Sequence, residues 1–291
     1  MVAKKTHNRV PPKKAPLAPP RKPPERTSSS VRLRIIVGTI ALVLAGGVAV
    51  SLSLLGHQSA AAASASSATP SISPASMATV ETVNGEALPV REYELFLSQD
   101  RAETFAYFQQ HYGVSDSANF WTTAHGGETP TAYIKRVALA DATKACVQQV
   151  LATKYGVVSG FTYGGFLQAW QAQNVSRASA LAAHQVIYGP TSYSESDYFT
   201  YVSEQMSEQL QTTLTGKSVI KVTDAALENY YSSHESQFVS NGESNVVSFA
   251  QVKSVVQQYY VQASYTALVA QQTQQAAVHV DQSVLAGITI S

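Results

Sequence analysis

The sequence predicts a mainly α-helical, multi-helix domain with a small β element, preceded by one transmembrane helix. Three observations carry this reading. From about residue 90 onward, apolar residues recur at three- and four-residue intervals between recognisable helix starts and stops. Asn84-Gly85 is a tight-turn signal between two short β-prone runs, Val80–Val83 and Glu86–Leu88. Ile35–Gly56 is a stretch of 22 residues without a charge. As a helix it is roughly 33 Å long, against a hydrocarbon core of about 30 Å.

The ends of that apolar run set an expected orientation. Residues 1–34 hold ten Lys/Arg against one acidic residue, and seven of the twelve prolines. Such a segment has almost nothing to bury and reads as a disordered, solvated tail. Arg32 and Arg34 abut the apolar run, and no Lys or Arg follows it until Arg91. The positive-inside rule then places the N-terminus in the cytoplasm and the remainder outside, with an uncleaved anchor favoured over a cleaved signal. Residues 57–79 read as a linker, rich in Ala and Ser and interrupted by Pro70 and Pro74.

The folded part is expected over 80–291. Pro89 opens a first helix that runs to about Tyr112 and stops at Gly113. Tyr93, Phe96 and Leu97 form one apolar patch on it; Phe105, Phe108 and Tyr112 form another. Phe120-Trp121 and His125-Gly126-Gly127 read as loop. Thr129-Pro130 opens a second helix ending near Gly156, with Leu139, Cys146 and Val150 on one stripe. A third spans Tyr163–His184. A fourth follows Ser194, and a short fifth follows Thr223. Ser248 and Gln251 have capping-box spacing before the longest helix, which reaches about Gln275 with Phe249, Val252, Val256, Tyr259, Ala263 and Ala270 as its apolar positions. Ala277–Val280 reads as a terminal strand able to pair with Val80–Val83.

Composition limits the chemistry. Charged residues are only 13% of the chain, and its positive charge sits in the tail, which argues against a nucleic-acid-binding fold. One cysteine, Cys146, leaves no disulfide framework and reads as a small buried hydrophobe. Seven scattered histidines give no helical i, i+4 pair, so neither a metal nor another cofactor is expected. No G-x-S-x-G elbow, H-E-x-x-H, Walker loop or Rossmann fingerprint occurs, and no catalytic residue is assigned. The carboxylate pairs Glu92/Glu94 and Glu204/Glu208 read as solvated surface charge. The remaining candidate is an uncharged, aromatic-lined helical groove, with Phe96, Phe105, Phe108, Trp121, Phe166, Trp170 and Tyr198 as the pool of peptide-binding residues.

Three stretches in order resemble the SurA/PrsA-type extracytoplasmic foldases. Thr82-Val-Asn-Gly-Glu-Ala-Leu-Pro-Val-Arg-Glu-Tyr is similar to the start of their N-terminal chaperone segment. The run from Val222 to Phe238 is similar to the helix that precedes their isomerase module. Ser248-Phe-Ala-Gln-Val-Lys and Ala277-Val-His-Val-Asp are similar to the closing segment. In the full-length family a parvulin peptidyl-prolyl isomerase module lies between the second and third stretches. Here only nine residues separate Phe238 from Ser248, too few to fold a catalytic domain. The resemblance therefore implies binding of unfolded or secreted polypeptides, without isomerase activity. The alternatives are a divergent prolyl isomerase and a structural adaptor in a cell-envelope complex.

Overall fold

The computed structural model describes residues 74–239 and 246–290, all in one compact unit. The basic tail, the charge-free run Ile35–Gly56 and most of the linker lie outside the described residues. Among the described residues no helix is long and apolar enough to cross a membrane. The described chain opens with a 3-10 turn, Pro74–Met77, inside the stretch read above as linker.

Strands β1 (Thr79–Val83) and β2 (Glu86–Pro89) form the expected hairpin. Its turn places Asn84 at φ 53° and Gly85 at φ 90°, the left-handed pair that Asn-Gly supplies at low steric cost. The terminal strand, β3 (Val278–Val280), pairs antiparallel with β1, giving the sheet order β2-β1-β3. The two ends of the domain are thus closed on each other through main-chain bonds.

Helix α1 (Val90–Tyr112) follows directly, with Pro89 as the last strand residue and helix cap rather than the first helical residue. It stops at Gly113, whose φ of 66° ends the helix and whose N–H donates to the Gln109 carbonyl. Helix α2 (Pro130–Lys154) carries Pro at its first position, and the Thr129 hydroxyl accepts from the Ala132 N–H. Helices α3 (Tyr163–Ala182), α4 (Glu195–Gly216) and α5 (Asp224–Ser233) begin at Thr162, Ser194 and Thr223, each accepting a backbone N–H on its hydroxyl.

Helix α6 (Phe249–Gln275) departs from the capping box. The Ser248 hydroxyl donates to the Gln251 side-chain carbonyl at 2.7 Å and accepts no backbone N–H, so the two side chains satisfy each other instead of the helix end. A short α7 (Gln282–Gly287), not anticipated from the sequence, follows β3. Asp281 caps it, and the Lys135 ammonium donates to the Leu285 carbonyl at its far end.

The main core joins the hairpin, α1, α2, α3, α4 and the C-terminal half of α6. Val80, Leu88, Tyr93, Ile134, Ala138, Leu210 and Val269 are fully buried there. Cys146 lies in it, as a buried hydrophobe would, and burial pushes its thiol far up from the usual range. Arg91 pairs with Glu195 through two forked contacts, at 2.9 and 2.6 Å, and the Tyr163 hydroxyl donates to the same carboxylate. This network ties α1, α3 and α4 together.

A satellite core of Leu227, Phe238 and Val256 joins α5 to the N-terminal half of α6. Val256 and Tyr265 are nine residues apart, two and a half turns, so α6 meets its two cores on opposite faces. That corrects the single stripe expected for it, because Ala263 and Ala270 are exposed. Val239 and Val246 pair antiparallel, with six residues between the paired positions.

Candidate functional site

The seven aromatic candidates fall into two groups rather than one groove. Phe96 and Phe166 pack on Phe199 with centroids 5.7 and 5.4 Å away, and Tyr198 lies 5.7 Å from Phe166. Trp170 joins this side by donating its indole N–H to the Tyr193 carbonyl at 2.9 Å. In the second group Phe105 and Phe108 meet Phe120, at 5.2 and 6.1 Å, and Trp121 packs edge-on to it under the guanidinium of Arg101.

Phe96, Phe108 and Phe166 are buried, and this corrects the reading of them as groove residues: their area goes into the core. Phe105, Trp121, Trp170 and Tyr198 are half-buried.

A second correction concerns Glu92. It was placed on a solvated helix face, yet it is 2% exposed, facing Gln149 of α2, whose amide donates to it at 3.0 Å. Burial pushes its carboxyl up to about 7, and the bond from Gln149 opposes this only in part. Glu81 of β1 is likewise buried and accepts from the Thr143 hydroxyl at 2.9 Å, and burial raises its carboxyl too. Thr143, Cys146 and Gln149 follow each other at three-residue spacing along α2, so two acids and a thiol share one interior seam. The seam's side chains are buried, and the Glu81–Thr143 and Glu92–Gln149 bonds tie β1 and α1 to α2. Among the described residues no group of three His, Cys, Asp or Glu side chains could hold a metal ion.

An open concavity lies elsewhere, between α4 and α6. It measures about 740 Å³. Gln211, Thr212 and Thr215 line it from α4, and Ser254, Gln257 and Gln258 from α6. On α4 these residues lie off the buried stripe of Met206, Leu210 and Leu214, on the side turned away from the core. On α6 they continue the face that, a few turns later, buries Tyr265 and Val269. Facing stripes of neighbouring helices are ordinarily apolar and interlock. Here the stripe carries amides and hydroxyls instead, so the helices stay apart and leave a cleft. A smaller hollow of about 450 Å³ shares Glu208 and Thr212 with it and extends the polar track towards Gly156.

Aromatic spacing gives no sign of this groove, because its lining is mostly Gln, Ser and Thr. The available signal is Gln, Ser and Thr recurring at helical spacing on the facing sides of the two helices.

The chain is similar to a protein of Bifidobacterium longum subsp. longum described as a chaperone for lacto-N-biosidase. The two are 24% identical over 148 residues, 50% of this chain and 51% of that protein. The chain therefore spans about half the length of the curated relative it matches. No family model and no solved structure matches the chain. The similarity does not single out the SurA/PrsA type.

Proposed function

We propose that this protein is a membrane-anchored extracytoplasmic chaperone that holds unfolded or secreted polypeptides. The observation that carries the reading is the open groove between α4 and α6, lined mainly by uncharged side chains, in a chain similar over half its length to a described chaperone. The charge-free run Ile35–Gly56 with its basic N-terminal flank supports the anchor and the orientation, cytoplasmic tail and external domain. The three-stretch resemblance to SurA/PrsA-type foldases supports a foldase without the isomerase module.

Captured chain loses conformational entropy, so binding in such a groove is weak for its area and readily reversed. The test is suppression of aggregation, followed by light scattering, for several unrelated unfolding proteins at near-equimolar chaperone. Suppression of none of them refutes the reading.

A narrower reading rests on the relative's description, which names one enzyme. In it, this protein serves one dedicated secreted client. It predicts a saturable complex with that client and no protection of the others. A protease-coupled refolding assay on a proline-limited substrate separates both readings from a prolyl isomerase, which alone accelerates refolding well above background.

A further inference from the structure

We infer that the open edge of β3 takes up an extended client segment as a fourth strand of the sheet, with alternate apolar side chains in the hollow beneath the edge and a carboxylate near Lys135. The inference rests on the chaperone reading and gives it a binding surface apart from the groove between α4 and α6.

Main-chain geometry carries the argument. β3 is the outer strand of the order β2-β1-β3. The Asp281 N–H donates to the Val80 carbonyl and the Asn84 N–H to the Ala277 carbonyl, each at 2.8 Å. Bonded pairs alternate along an antiparallel ladder, so with Thr82 opposite His279 it is His279 that turns its main chain to β1. Val278 and Val280 turn theirs outward, two N–H groups and two carbonyls that no described residue meets. Extended backbone offers matching acceptors and donors at that spacing. Exposed edges are ordinarily blunted by charge or proline. The other edge carries both, in Glu86 and Pro89, whereas Val-His-Val carries neither.

The side chains fit the same occupant. Val280 lies opposite Glu81 and Val278 opposite Val83, so both valines share the face on which Glu81 meets Thr143 of α2. That face opens on a hollow of about 540 Å³, walled by the two valines, by Leu139 and Ala140 of α2, and by Leu285 of α7. Val278 is 39% exposed there. A strand added at the edge sends every second side chain to this face and the rest away from it. Charge supplies the last element. Glu81, Lys135 and Arg136 also line the hollow. Glu81 is buried on Thr143, and Arg136 pairs with Glu128. The Lys135 ammonium donates to the Leu285 and Ala286 carbonyls and has no carboxylate partner among the described residues, so an acidic residue of the client complements it.

The test uses the full chain in phospholipid nanodiscs and a fluorescein-labelled peptide that alternates Val with Thr and ends on Glu, followed by fluorescence anisotropy. N-methylation of one alternate set of its amides weakens binding about tenfold or more, and N-methylation of the other set changes it by less than about threefold, because a strand pairs here through one edge. Val278→Lys guards the edge, and Val278→Pro removes an outward N–H but no ladder bond. Each melts like the wild type and binds about tenfold more weakly. Replacing the peptide's Glu by Gln weakens binding several-fold in the wild type and not at all in Lys135→Met.

The inference is overturned if the two N-methylated peptides bind alike, if both Val278 variants bind as the wild type does, or if the Glu-to-Gln change acts equally on wild type and Lys135→Met. A wild-type dimer that Val278→Lys dissociates, with no uptake of peptide, hands the edge to a second copy of this chain and overturns it too, as does laurate that binds where the peptide does not. Wild-type protein that suppresses aggregation without binding the peptide sinks the edge alone. Wild-type protein that binds the peptide at the edge and suppresses no aggregation leaves the edge standing and sinks the chaperone reading.

Discussion

Replacing Glu92 by Gln should make the domain more stable at neutral pH and remove much of its pH dependence. In the fold the Glu92 carboxyl is 2% exposed and meets one amide, that of Gln149, at 3.0 Å. Its pKa stands at about 7 against an ordinary 4.5, because burial penalises the ionised form. A raised carboxyl pKa means the folded state holds its proton more tightly than the unfolded state does. The associated stability is complete below about pH 4.5 and is lost as pH rises through about 7.

Each pH unit of difference corresponds to about 1.4 kcal/mol, so ionising Glu92 in place costs about 3 kcal/mol at pH 7.5. Between pH 5 and 7.5 the wild type should lose about 2 kcal/mol from this group. Glu81, raised by the same cause, pushes in the same direction. Gln keeps the shape, cannot ionise, and can still pair with Gln149. Urea unfolding followed by circular dichroism at pH 5, 6 and 7.5 measures this directly. The variant should match the wild type within about 0.5 kcal/mol at pH 5 and exceed it by about 2 kcal/mol at pH 7.5. An equal loss of stability at both pH values would show that Glu92 is ionised and paired in the fold, and would refute the argument.

Three further outcomes follow from single contacts. A Cβ at Gly126 would sit 2.3 Å from the Tyr112 hydroxyl, at φ +63°. Tyr112 is 44% exposed and can move only by giving up its ring contacts with Phe108 and His125, so Gly126→Ala should cost about 1 kcal/mol or more. Its near-UV circular dichroism should change as the Tyr112–His125 contact at 6.1 Å is lost. Arg177 is buried and donates to the Pro190 and Tyr188 carbonyls at 2.7 and 2.6 Å, clamping the connection between α3 and α4. Arg177→Met should raise amide exchange across residues 183–193 at least tenfold and lower global stability by about 2 kcal/mol. Thr129→Ala removes the acceptor of the Ala132 N–H and should cost about 1 kcal/mol in the urea midpoint analysis, whereas Thr129→Ser should cost little.

Much of the fold was legible because local signals and tertiary packing agree. Thr129-Pro130, Ser194 and Thr223 start helices where capping chemistry says they should, and Asn84-Gly85 turns where only a positive φ serves. The pairing of β3 with β1 was legible from alternation near both ends of the domain. Glu92 was misplaced because charge was weighed before position. It stands four residues before Phe96, and so on the same helical face as a core aromatic. The face of α6 was misread because one stripe was fitted to a helix that serves two cores half a turn apart. No propensity records which of two opposite faces a neighbour covers, since both carry enough apolar residues to qualify.

Phe96, Phe166 and Phe199 hold α1, α3 and α4 in a fixed frame through edge-on and tilted contacts within about 6 Å. With that frame set, α4 and α6 can face each other across amides without collapsing. An exposed Gln is fully solvated, so leaving the cleft open to water costs the fold almost nothing.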